Sequence, residues 1–372
     1  MIFDDSVVKP KEYFNNIDGL RAYACLAVLL YHAHVPFSSY WRAWVQVFFV
    51  ISWFLITDIL LRLKSTTRGQ RKTYFSVFYY RRVLRIFPAY YLLLFFVAIL
   101  SVYYGWYLND MMHYILYIQN RIIWFESNIA FMQMLWHTWT LAAEEQFYIV
   151  WPMIIRFLRR KYLVVLCIAW IISAIIWRYL FFNEYGITMA SYSTLSHIDT
   201  LLGGALIALL YNSNLQFAKT LWISVVWLLI YLGFYLFVGE WHVLYDFTHL
   251  HTIWYVWKPF MIIAPFAVLL VHYLLVAKNI LLKAIFQNAF IRFLWKISYW
   301  MYLYHLMIYV VIGELIRIPL ASLFDWLPPH IFLLLYQLTK IVVVIGFAYL
   351  SYEYVEKKFL VHKDRYGVDP RE

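Results

Sequence analysis

The stretch IDGLRAYACLAVLLYHAHVPF sets a permanent cation, Arg21, and a titratable imidazole, His32, in one apolar run. They are eleven residues apart. On a helix turning about 100° per residue, both side chains share one face, about 16 Å apart along the axis. Such groups are costly in an apolar segment unless they face protein or a water-filled cavity. An imidazole there can relay a proton near neutral pH or itself carry an acyl group, and a guanidinium can hold a phosphate. Further ionisable groups stand in apolar runs: Glu144 and Glu145 in WTLAAEEQFYIVW, Asp199 in HIDTLLGG and His305 in WKISYWMYLYHLMI. Measured along their helices, all lie at about the same depth as His32, so one mid-membrane chamber is expected. The adjacent acids point about 100° apart, so at most one is expected to face that chamber with His32.

Each group also has a plain structural reading. Buried His and Asp hydrogen-bond across helices in many bundles, and Arg21 alone suits an interfacial anchor. Arg81, Arg82 and Arg85 form a basic set that fits either anionic lipid headgroups or a polyphosphate gripped by guanidinium forks. Arg82 and Arg85 share one helix face.

These residues need a membrane bundle to position them. The 372-residue chain is 65% hydrophobic and 14% charged, with mean hydropathy +0.67. That is more apolar surface than a soluble fold hides, so the class is all-α, a polytopic integral membrane helix bundle. About ten spans are expected, near 17–37, 43–63, 87–105, 136–157, 162–181, 196–211, 219–238, 254–276, 292–316 and 331–354, with the sixth the shortest. The net charge of +11 is not a nucleic-acid signature. The basic residues cluster at 62–85, 156–161, 278–283 and in the tail, while loops 182–196 and 239–253 hold no Lys or Arg. Ten spans with both termini cytoplasmic put every strongly basic loop inside. Residues 73–86, TYFSVFYYRRVLRI, read as a surface helix ahead of Pro88, and 106–135 as a cap on the other face. Cys25 and Cys167 read as packing residues, with no disulfide framework or metal-ligand spacing. The N-terminal residues lack the pattern of a removable signal peptide. One domain spans 1–372, its bundle covering about 17–356 between short cytoplasmic tails.

The segments IDGLRAYACLAVLLYHA, VFFVISWFLIT, YYRRVLRIFPAYYLLL, WHTWTLAAEEQFYIVWP, HIDTLLGGALIA, KISYWMYLYH and SYEYVEKKF occur in order from residue 17 to about 359. In this set the chain resembles acyltransferase family 3, membrane proteins that move acyl groups, most often acetyl, onto extracytoplasmic glycans. The resemblance implies that Arg21 and His32 match the family's Arg-x10-His pair and Arg82 and Arg85 its basic motif. Glu144–Glu145 match its acidic pair and His305 its late histidine. Asp18 and Tyr90 fall in matching stretches as supporting positions, with Asp199. Three positions depart from the pattern: Trp53 for a usual glycine, Gln46 for a frequent acid and His197 for a common arginine. No fused esterase-like domain is seen.

The implied activity is membrane O-acetyl transfer. Acetyl-CoA or another acyl-CoA is the cytoplasmic donor, and no cofactor or metal is permanently bound. The acceptor is a surface polysaccharide such as lipopolysaccharide O-antigen, and the location the bacterial inner membrane. Arg21, Arg81, Arg82 and Arg85 would hold the donor, with membrane lipids around the bundle and no nucleic-acid partner. His32 would act as general base, or as an acylated relay, with Glu144 or Glu145 steadying the imidazolium. The alternative is a glycolipid transporter or flippase, for which an internal repeat would speak. None is evident.

Overall fold

The computed structural model describes residues 13–35, 44–67, 69–105, 110–121, 133–213, 267–275, 279–315, 322, 324 and 326–361. All regular structure among them is helical. The elements are α1 (Asn15–His32), α2 (Trp44–Thr66), α3 (Arg71–Tyr103), α4 (Met111–Ile115), α5 (Trp139–Phe157), α6 (Arg160–Tyr192) and α7 (Ile198–Tyr211). They continue with α8 (Ala267–Leu275), α9 (Ile280–Phe286), α10 (Ala289–Leu315) and α11 (Pro329–Ser351). Asn279 caps α9 by accepting from the Leu281 N–H at 2.9 Å, and Pro329 opens α11 where a missing N–H costs nothing.

Several boundaries differ from those expected. The first span ends at His32 rather than near 37. Pro36 disfavours helical backbone at Val35, and His34 turns into the left-handed region at φ 56. The expected surface helix 73–86 is instead the first half of α3, which runs unbroken through Pro88 for 33 residues, about 50 Å. A proline inside a membrane helix removes one backbone hydrogen bond and is tolerated there; separately, the Tyr299 hydroxyl donates to the Ile86 carbonyl at 3.1 Å and ties α10 to α3. The loop expected at 182–196 is helical as far as Tyr192, as the end of α6. The seventh expected span, 219–238, lies outside the described residues, as do most of the eighth and the tail beyond 361.

Five helical stretches among the described residues are long and apolar enough to cross a membrane: Trp44–Thr66, Arg71–Tyr103, Arg160–Arg178, Thr194–Tyr211 and Pro329–Leu360. A sixth results if α8 and α9, bent by 116°, count as one. α1, α5 and α10 are not among them, because the polar side chains they carry lower their hydropathy. Apolar side chains face outward in helical stripes, such as Ile168, Ile172 and Ile176 on α6 and Leu334, Leu338 and Val342 on α11. A soluble protein would bury such stripes. Here they are the lipid-facing surface of an integral membrane protein.

Lipid is as apolar as a leucine side chain, so close packing and hydrogen bonds hold such helices together. Small residues on α7 let it approach α2: a Cβ on Gly204 would lie 2.2 Å from the Val50 carbonyl oxygen. Gly19 on α1 lets the backbone of Phe286 come equally near. α1 also packs on α10, where Tyr309 donates to the Leu29 carbonyl at 3.1 Å and Cys25 Sγ to that of Ser298 at 3.2 Å. Part of the basic charge is structural. Lys64 donates to the carbonyls of Ile155 and Leu158, closing the end of α5, and Arg62 pairs with Asp58 at 2.9 Å.

Candidate active site

Arg21 and His32 both lie on α1, but they open into different cavities. Arg21 lines a cavity of about 130 Å³ together with Arg82 and Arg85 from α3 and Glu144 and Glu145 from α5. Both acids therefore face one space, not the single acid expected, and that space is not the one His32 lines. Glu144 accepts from the Tyr148 hydroxyl at 3.0 Å. The Arg21 guanidinium lies over the Phe48 ring at 4.9 Å, and that of Arg82 is 5.8 Å from the rings of both Phe78 and Tyr148. Nε of Arg21 and Oε1 of Glu145 are buried without a hydrogen-bond partner. The space thus gathers three guanidiniums, two carboxyls and buried polar atoms without a hydrogen-bond partner.

His32 lines a second cavity, of about 780 Å³, with His137, Tyr309, Gln337 and Lys340. His32 Nδ1 is 3.0 Å from His305 Nε2, so His305 takes the place beside His32 that the acids were expected to hold. The tautomers follow from the backbone. His305 Nδ1 is 2.6 Å from the Tyr302 carbonyl, which can only accept, so Nδ1 carries the proton. In neutral His305, Nε2 is then an acceptor, and it takes the Nδ1–H of His32. That leaves His32 Nε2 with its lone pair. His137 donates through Nε2 to the Leu303 carbonyl at 3.0 Å, and its ring centroid is 4.6 Å from that of His305.

The two cavities share Thr140 and Tyr302 in their walls. α1, α5 and α10 each run from one cavity to the other. α10 places Tyr299 in the arginine cavity, Tyr302 at the shared wall and Tyr309 in the histidine cavity. α5 runs the opposite way, from Trp139 through Thr140 to Glu144.

Other expected site residues sit elsewhere. Asp199 is ion-paired with the buried Arg178 and lines neither cavity. A buried guanidinium demands such a partner, which gives Asp199 a structural role in place of the chamber role expected for it. The Tyr90 hydroxyl donates to the Tyr114 carbonyl at 2.8 Å, holding the 110–121 segment against α3. Arg81 and Asp18 line neither cavity, though Asp18 interacts electrostatically with Arg21 and Arg85. Sequence reasoning missed His137, Thr140 and Tyr302. Their signals were positional: Thr140 is one turn from Glu144, and Tyr302 three residues before His305.

The departures from the family pattern also find their places. Gln46 Nε2 lies 3.3 Å from His197 Nδ1, so two of the departures meet as one neutral pair. Trp53 is fully buried, its ring 4.8 Å from that of Phe147.

Fold and site together define an integral membrane helix bundle whose interior holds basic, acidic and imidazole side chains in two adjoining cavities. A sequence model described as an acyltransferase domain matches residues 14–351. The chain thus belongs to acyltransferase family 3. It is 33% identical over 153 residues to the peptidoglycan O-acetyltransferase OatA of Listeria monocytogenes, covering 38% of this chain and 24% of that protein. It is 34% identical over 152 residues to the putative peptidoglycan O-acetyltransferase YrhL of Bacillus subtilis, covering 38% and 23%. It is 32% identical over 161 residues to the O-acetyltransferase OatA of Staphylococcus aureus, covering 40% and 26%. The aligned stretch thus spans about a quarter of the length of these relatives. No solved structure matches the chain.

Proposed function

We propose that this domain transfers an acetyl group from acetyl-CoA, held at the arginine cavity, to a glycan hydroxyl that enters the histidine cavity. The observation that carries this reading is the pair of chemically distinct cavities meeting at one wall. The arginine cavity lies toward the ends of α2 and α5 where Lys64, Arg156, Arg159 and Arg160 gather, the cytoplasmic side by the positive-inside rule. That side holds acyl-CoA, which is too polar to cross. A cavity of about 130 Å³ is smaller than the roughly 300–1,000 Å³ typical for a whole ligand. It suits the narrow pantetheine end of CoA, with the nucleotide at the basic mouth and Arg82 and Arg85 on its phosphates.

In the histidine cavity, His32 Nε2 accepts the proton of the acceptor hydroxyl, and His305 orients the ring. Glu144 and Glu145 stand by the donor, balancing the guanidiniums, rather than by His32. The acceptor is an extracytoplasmic glycan. Lipopolysaccharide O-antigen, expected from the family, stands beside peptidoglycan, which the names of two relatives carry. The reading includes a single bundle of about ten spans, both termini cytoplasmic, in a bacterial inner membrane.

Mass spectrometry of the envelope glycans from cells with and without this chain tests the function and identifies the acceptor. Acetyl esters on one glycan should vanish without the chain and fail to return with His32→Ala. Glycans unchanged by loss of the chain, or full acetylation by His32→Ala, refute the proposal.

A further inference from the structure

Thr140 and Tyr302 form the wall common to both cavities, and their hydroxyl oxygens lie 2.6 Å apart. Each also lies 3.0 Å from the His137 carbonyl oxygen. These are three contacts, but two hydroxyls bring only two protons. In one arrangement Thr140 donates to the carbonyl and Tyr302 to Thr140. In the other Tyr302 donates to the carbonyl and Thr140 to Tyr302. The His137 carbonyl also accepts a backbone N–H at the start of α5, so neither hydroxyl proton is required there, and one of the two is spent on a hydroxyl that needs no donor. That proton can turn to an incoming oxygen without orphaning any buried group.

The same tyrosine is tied to both chambers. Its ring stacks on Phe48 at 5.9 Å, beneath the Arg21 guanidinium. Its backbone carbonyl accepts from His305, the partner of His32.

We infer that the thioester meets its acceptor at the Thr140–Tyr302 wall, where the Tyr302 hydroxyl donates a hydrogen bond to the thioester carbonyl oxygen as it becomes an oxyanion. The inference rests on the acyl-transfer reading above. The acceptor oxygen bonds to the carbonyl carbon while its proton passes to His32 Nε2, and the carbonyl π electrons move to the oxygen facing Tyr302. Collapse re-forms the C=O bond and breaks the C–S bond. The departing thiolate takes the proton from His32, leaving an ester and CoA thiol. Thr140 holds the Tyr302 hydroxyl in place at the wall, a positioning role, while Tyr302 touches the reacting atoms.

The test uses membranes from cells expressing the full chain, so that the native acceptor is present, with radiolabelled acetyl-CoA as the probe. Tyr302→Phe should lower kcat for glycan labelling by about 10²–10³-fold, with KM for acetyl-CoA within about two-fold. Thr140→Val removes the hydroxyl that holds the Tyr302 hydroxyl at the wall, so it should also lower kcat at constant KM. Thr140→Ser keeps both protons and should label like the parent. Four results overturn the inference: unchanged kcat in both Tyr302→Phe and Thr140→Val, a raised KM with kcat retained, Thr140→Ser as poor as Thr140→Val, or parent membranes that leave acetyl-CoA intact. The last removes the acyl-transfer reading itself, whereas the first three leave that reading standing.

Discussion

The His32 ring takes its hydrogen-bond partner from another helix rather than from its own. Because His305 donates to the Tyr302 carbonyl, it accepts from His32 Nδ1 and fixes the His32 tautomer. His305→Ala should therefore lower kcat by about 10²-fold, the scale of general-base catalysis, and leave KM for acetyl-CoA unchanged. A residue that only supported the fold would not separate the two constants. Arg82 is expected to act on the other constant. Arg82→Ala should raise KM for acetyl-CoA, and the difference from the parent should shrink as salt screens the phosphate contact. An unaltered KM would return that arginine to lipid anchoring. Gln46 and His197 show how two departures from a family pattern can be one change. Where a carboxylate and a guanidinium are usual, this chain sets a neutral amide against an imidazole, and neither position is left as a lone buried charge.

The helices were legible in the sequence because membrane-length apolar runs leave few alternatives. Their ends were less so. α1 stops where a downstream proline acts on its neighbour, whereas α3 ignores a proline inside it. Hydropathy records neither outcome. Packing faces were equally hidden: the contact between α7 and α2 depends on Gly204, whose Cβ would meet the Val50 carbonyl oxygen at 2.2 Å. Backbone cannot yield as a side-chain tip can. Gly204→Ala should cost about 1–3 kcal/mol, the range for overpacked sites. Cys25 and Cys167 are buried thiols, so labelling by a thiol-reactive dye on heating reports that loss as a lower unfolding temperature. An unchanged midpoint would show that the two helices can separate without penalty.

For the whole molecule, counting residues along a helix gives depth, and depth grouped His32, Glu144, Glu145, His305 and Asp199 into one expected chamber. It does not give azimuth around the bundle axis. The expected single chamber therefore resolves into two cavities, and Asp199 turns away to Arg178. The family motifs named the residues but not the wall between them, since hydroxyl side chains carry no hydropathy signal comparable to a buried charge. That wall is spanned by three helices, each of which must reach both sides. On α1 the interval from Arg21 to His32 covers about 16 Å, and on α10 that from Tyr299 to Tyr309 about 15 Å. One inserted residue inside either interval would swing everything beyond it by about 100° and take one chamber's side chains out of register with the other's. The two intervals thus act as rulers, and a single residue inserted into either should abolish the joint use of the two chambers while the same insertion in a connecting loop is tolerated.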